Sequence, residues 1–163
     1  RRVLFRSVFN DVLARYEINR AKVNAFDGSG LSHENRISTE TLAQVLLKMI
    51  NNPKFAPAIN GLPVGGISGT LQRRFINSAP QAVGLVHAKT GSISGVVSLA
   101  GYIESGPHKY VFAIIADRIG RNYYAESAAR AKIDKLLGKI AYPLEIATAP
   151  EITPTPSPET ITS

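Results

Sequence analysis

Apolar positions recur with a helical period over residues 8–18, "VFNDVLARYEI", where Val8, Val12, Leu13 and Tyr16 fall on one stripe. After a polar break, "KVNAF" alternates like a short strand and runs into the turn sequence "DGSG". A stronger helix is predicted over 38–52. Ser38 is a suitable N-cap, Glu40 suits the positive end, and Leu42, Val45, Leu46, Met49 and Ile50 follow the i, i+3, i+4, i+7, i+8 spacing. Asn51-Asn52-Pro53 ends it, because proline cannot continue the hydrogen-bond ladder.

Residues 53–70, "PKFAPAINGLPVGGISGT", read as a glycine-dense loop followed by a short helical piece around "LQRRF". Three strands are then predicted, Val83 to Thr90, Val96 to Glu104 and Lys109 to Asp117, separated by a glycine-bounded turn and by "SGPH". "VVSLAGYI" and "YVFAIIA" are nearly continuous in apolar residues, as expected of strands covered on both faces. A last helix, "YYAESAARAKIDKLLGKIAY", presents Ile133, Leu136, Leu137 and Ile140 as its apolar stripe. The order is that of an α+β protein with a short antiparallel sheet and flanking helices.

Composition narrows this picture modestly. The chain of 163 residues is long enough for one domain, and its apolar fraction of 44% is ordinary. No apolar run approaches the length needed to span a membrane. Cysteine is absent, which excludes disulfides and thiolate metal sites. The net charge of +7 favours an anionic partner surface, but the basic residues are scattered and lack interleaved aromatics, which argues against nucleic acid. Residues 143–163, "PLEIATAPEITPTPSPETITS", are rich in Pro, Thr and Ser and read as a disordered tail. Residues 1–7, "RRVLFRS", read as a non-native leader, which leaves 8–142 as the folded part.

Three stretches carry candidate chemistry. In "AKTGS", Lys89 and Thr90 on an edge strand can offer an ammonium and a hydroxyl to a carboxylate. Gly91 lets a peptide lie close, and the Ser92 N–H would point outward as an oxyanion donor. In "FDGSGLSHENRIS", Ser29, Ser32 and Asn35 are small polar groups on tight turns, suited to holding water, a base or a peptide amide. They suit a capped turn equally well. "LPVGGISGTLQRRF" fits neither a phosphate-binding loop nor a dinucleotide fingerprint, and its glycines allow close backbone approach. His33, His87 and His108 are isolated, so neither a metal nor another cofactor is expected.

Read together and in order, "DGSGLSHENRIS", "LPVGGISGTLQRRF" and "HAKTGSISGVVSLAGY" resemble the C-terminal half of the D-alanyl-D-alanine carboxypeptidases of peptidase family S13, which are class C low-molecular-mass penicillin-binding proteins. The resemblance covers roughly residues 8–140. It implies the penicillin-binding, serine β-lactamase-like transpeptidase fold, and an extracytoplasmic enzyme that acts on the D-Ala-D-Ala ends of peptidoglycan stem peptides and is acylated by β-lactams. Enzymes of this group carry Ser-x-x-Lys, Ser-x-Asn and Lys-Thr-Gly elements. Carried over, Lys89, Thr90 and Gly91 form the third element and Ser92 supplies an oxyanion N–H. Ser32 becomes the second-element serine that relays protons, and Asn35 its asparagine, which orients the lysine and the substrate amide.

Two departures accompany the resemblance. Two residues, His33 and Glu34, stand between Ser32 and Asn35 instead of one, so either a bulge brings Asn35 into place or Glu34 occupies it. No serine in the chain stands three residues before a lysine, so the nucleophile is expected upstream, in a part of the protein this chain does not contain. The isolated chain is accordingly expected to be marginally stable. A non-catalytic module that captures peptide carboxylates is the alternative reading; a β-lactamase of the same architecture is disfavoured by "DGSGLS" and the glycine loop.

Overall fold

The computed structural model describes residues 2–141, so the Pro/Thr/Ser-rich tail at 143–163 lies outside the described residues. Helix α1 spans Arg2–Arg15. It takes in residues 2–7 of the stretch read as a leader, and Phe5 packs on Phe9 with ring centroids 5.7 Å apart. The two-residue strands β1 (Val23–Asn24) and β2 (Arg36–Ile37) pair antiparallel and close a neck beneath the 25–35 loop.

Helix α2 (Thr39–Ile50) starts where the capping chemistry requires, because the Ser38 Oγ accepts from the Thr41 N–H at 3.1 Å. The predicted loop at 53–70 contains one more short helix, α3 (Ala56–Asn60), begun by Pro57 in its first turn. The "LQRRF" piece is shorter than expected, with a single 3₁₀ turn at Gly69–Leu71.

Strands β3 (Val86–Ile93), β4 (Val96–Ser105) and β5 (His108–Ala116) form one antiparallel sheet in that order. The first strand is displaced from its expected position. Val83–Leu85 close a turn, with Gly84 at φ +81° and the Leu85 N–H bonded to Ala82 O, so β3 starts at Val86. At its other end β3 runs through the tripeptide, and the hairpin turns at Ser94-Gly95, where Gly95 has φ +81°. Gly91, expected in the turn, therefore continues the strand that holds Lys89 and Thr90.

One sheet face packs on α4 (Tyr123–Gly138) and on Leu71 and Phe75, burying Val86, Ala88, Val97, Leu99 and Ile103. The other face carries α2, onto which the buried Tyr102 hydroxyl donates at Leu46 O, 2.8 Å. β4 is covered as expected, whereas β5 is only half-buried along its apolar part, because it is the far edge of the sheet. The expected stripe of α4 is also narrower. Ile133 and Leu137 are buried but Leu136 and Ile140 are exposed, since Gly138 sits hard against Ala79 and Gln81 and turns the helix that way.

A buried ion pair joins the glycine loop to this helix. The Arg74 and Asp134 side chains are only 12% and 5% exposed, and Ser78 Oγ adds a 3.1 Å hydrogen bond to the same carboxylate. Losing one partner strands a buried charge, so Asp134→Ala should lower stability by about 3–5 kcal/mol in urea titration. The pair Asp134→Ala/Arg74→Leu should recover part of that loss; an equal loss in both would show that packing, not charge, is what matters.

Candidate active site

β3 is an edge strand, and strict alternation decides what each residue of "AKTGS" presents. It pairs with β4 without a bulge from Val86↔Ile103 to Ile93↔Val96. On its other side, the Gly65 N–H donates to Val86 O at 2.8 Å and Pro63 O accepts from the Ala88 N–H at 2.9 Å. The backbone groups of Val86 and Ala88 therefore point outward, and antiparallel alternation gives Thr90 and Ser92 the same direction. Segment 63–65 covers the first half of this edge, and among the described residues none pairs with the second half. The Ser92 N–H faces out, as expected.

Side chains divide between the two faces. Lys89, Gly91 and Ile93 share the α2 face; Thr90 and Ser92 share the α4 face with buried Val86 and Ala88. The exposed Lys89 Nζ reaches round to its own strand and donates to Thr90 O at 2.8 Å. Thr90 Oγ1 donates to Thr70 Oγ1 at 3.1 Å, and Ser92 Oγ accepts from Arg130 Nη2 at 3.0 Å. Gly91 is needed for a reason the sequence did not show. A Cβ there would collide with the Ser98 hydroxyl on β4, so the missing side chain makes room first for the neighbouring strand.

The 27–35 loop is held by two side chains. Asp27 Oδ1 accepts from the Gly30 N–H at 2.9 Å and from Asn35 Nδ2 at 3.0 Å, while Oδ2 accepts from the Ser32 N–H at 3.1 Å. Asn35 Oδ1 accepts from the N–H groups of Phe26 and Asp27, at 2.7 and 3.2 Å. The Asn35 amide thus spends most of its hydrogen-bonding capacity on its own loop. Ser32 Oγ caps the Glu34 N–H at 3.1 Å. Glu34 in turn gives its carbonyl to Asn24 Nδ2 at 3.1 Å.

Ser32 and Asn35 line a cavity of about 570 Å³ between residues 30–37, the β3–β4 turn at 93–96 and residues 117–121. The β3 residue at this cavity is Ile93, and Lys89 lies four positions back on the same face, about 13 Å along the strand. The structure therefore joins Lys89, Thr90, Gly91 and Ser92 in one edge and puts Ser32 and Asn35 at the cavity by its Ile93 end, with no hydrogen bond to Lys89. Thr70 and Arg130 complete the edge and were not picked out from sequence. The i, i+4 spacing of Glu126 and Arg130 was the only visible sign of either.

A Lys-Thr-Gly edge on an antiparallel sheet backed by helices is the arrangement of the penicillin-binding peptidase fold. The chain aligns with penicillin-binding protein 4 (dacB) from Haemophilus influenzae, solved in complex with a β-lactam, at a TM-score of 0.70 and 27% identity, covering 82% of this chain and 32% of that one. The model of the D-Ala-D-Ala carboxypeptidase 3 (S13) family matches residues 6–140, and the chain belongs to that family. Penicillin-sensitive carboxypeptidase A of Dictyostelium discoideum is 43% identical over 100 residues, which are 56% of this chain and 19% of the relative. Carboxypeptidase DacB of Mycolicibacterium smegmatis is 33% identical over 108 residues, 63% of this chain and 24% of the relative. The chain thus spans about a fifth to a quarter of the length of these curated relatives.

The Asn35 side chain, aided by the Gly30, Ser29 and Ser32 groups, holds the Asp27 carboxyl below the ordinary aspartate range against a smaller opposing effect of burial. A depressed folded-state value means that the stabilisation is present above the unfolded aspartate range and is lost as pH falls through the folded value. The amide resonances of Gly30 and Ser32 should therefore hold steady on acidification through about pH 4 and move only below it. In Asp27→Asn the same resonances should already be displaced at neutral pH. A transition centred on the ordinary aspartate value would show that the clip does not stabilise the carboxylate.

Proposed function

We propose that the chain is the C-terminal part of a serine-type D-Ala-D-Ala carboxypeptidase/endopeptidase that works on peptidoglycan stem peptides outside the cytoplasmic membrane. The observation that carries this reading is the open half of the β3 edge, where Thr90 and Ser92 turn outward backbone groups that no neighbouring strand pairs among the described residues, the Thr90 carbonyl being held only by the Lys89 ammonium. A stem peptide lying along this edge would extend the sheet by one strand, with Lys89 and the Thr90 hydroxyl binding its terminal carboxylate. The Ser92 N–H would stabilise the oxyanion as a serine oxygen attacks the penultimate D-alanine carbonyl. The amide C–N bond then breaks, the terminal D-alanine leaves with a proton, and water hydrolyses the acyl-serine ester. β-Lactams would acylate the same serine.

Ser32 is the candidate for the proton relay, with its hydroxyl at the cavity, and Asn35 is better supported as the residue that holds this loop. No helix among the described residues is long and apolar enough to cross a membrane. The lack of any Ser-x-x-Lys in this chain favours a second reading, a module that captures peptide carboxylates without acylation.

The two readings separate by experiment. In the full-length protein, Lys89→Ala should reduce acylation by penicillin at least about 100-fold while circular dichroism and melting stay unchanged. Normal labelling of that variant would sink the assigned role. The 163-residue chain alone should take no penicillin label, and a covalent adduct on any of its serines would overturn the assignment of the nucleophile to another segment.

A further inference from the structure

Arg130 reaches across from α4 to the edge strand, and the reading of β3 as a peptide-docking edge, on which this step rests, gives no reason for it. Its Nη2 donates to Ser92 Oγ at 3.0 Å and also to Glu126 Oε2 at 2.9 Å, one turn back on the helix. The Arg130 main-chain carbonyl accepts from Arg74 Nη2 at 3.3 Å, which ties this turn of α4 to the buried ion pair. The Arg130 side chain is 32% exposed, so it borders solvent as well as Ser92.

We propose that Arg130 sets the preference of this site for a free C-terminal carboxylate over a continuing peptide, by fixing the Ser92 hydroxyl as a donor toward the ligand. A guanidinium has donors and no acceptor, so the Ser92 hydroxyl proton cannot point at Arg130. It is left for an acceptor on the open side of the strand. The Thr90 hydroxyl lies on the same face about 7 Å away, and it is engaged with Thr70 Oγ1. The α4 face of the edge thus offers a row of two hydroxyls ending in a permanent cation, which a ligand carboxylate would share with Glu126. A carboxylate bound there accepts from Ser92 and is attracted by the guanidinium, whose charge persists at every working pH. A C-terminal amide, or the next residue of a longer peptide, carries no charge and offers one acceptor oxygen where the carboxylate offers two.

The test uses the full-length protein and two peptides that differ only in ending as D-Ala-D-Ala carboxylate or as its C-terminal amide. Arg130→Ala should lower the carboxylate-to-amide ratio of kcat/KM about tenfold, mainly through a higher KM for the carboxylate peptide with kcat little changed. Arg130→Lys, which keeps the charge, should retain part of the ratio. Arg130→Gln, which keeps length and a donor without charge, should behave like Arg130→Ala. An unchanged ratio in Arg130→Ala, or an equal fall for both peptides, would overturn the proposal by leaving Arg130 a purely structural role. A wild-type protein that cleaves neither peptide and takes no β-lactam would instead sink the function proposed above.

Discussion

The unbroken register of β3 on β4 is the constraint from which the rest of the site follows. Eight residue pairs run from Val86↔Ile103 to Ile93↔Val96, and a slip by one would exchange the two faces of the strand. Gly101 protects that register. A side chain there would strike the His87 carbonyl and the Ala88 backbone, so only glycine allows the two strands this close. With the register held, Lys89 and Thr90 must face opposite ways, and the backbone groups of Thr90 and Ser92 must face out.

Two polar clips then hold what surrounds the strand. The Arg74–Asp134 pair fixes the glycine loop to α4, and that loop delivers both the 63–65 segment that covers the first half of the β3 edge and Thr70, which meets Thr90. The Asp27–Asn35 clip holds the other loop into the cavity at the far end of the strand. Each clip is a carboxylate with several donors around it, the form in which a buried or half-buried charge costs least. They act on separate segments, one for the edge and one for the cavity.

Much of this was legible in the sequence, and the limits have physical causes. Helix α2 could be read to within two residues because a cap, an acidic first turn and a strong period all agreed. The start of β3 was misjudged because Val83–Leu85 look like strand, yet the Val83 and Leu85 N–H groups close turns onto Pro80 and Ala82, with Gly84 at positive φ between them. The end of β3 was set at Thr90, three residues short, because Gly91 and Gly95 both look like parts of a hairpin loop and only Gly95 is in one. Asn35 was assigned by motif, whereas its hydrogen bonds go to Asp27, eight positions earlier, which no local pattern shows. Arg130 lies 38 residues from Ser92 and was out of reach of any motif.

The division of the edge between two faces also limits how anything can approach it. On the α4 side the strand is closed by the core, by Thr70 and by Arg130, so a ligand meets fixed hydroxyls and a fixed cation. On the other side Lys89 is exposed, is bonded only to its own strand, and lies on the same face as the cavity that begins at Ile93. Groups that bind a ligand and groups that must move during a reaction need different freedoms: the first benefit from being held, the second from open space and a flexible side chain. The α4 face has the first character and the Lys89 face the second. On the proposed reading, a reacting group supplied by another segment would have room on the Lys89 face, and the ligand terminus would meet fixed groups on the α4 face while the flexible Lys89 closes on it from the other side.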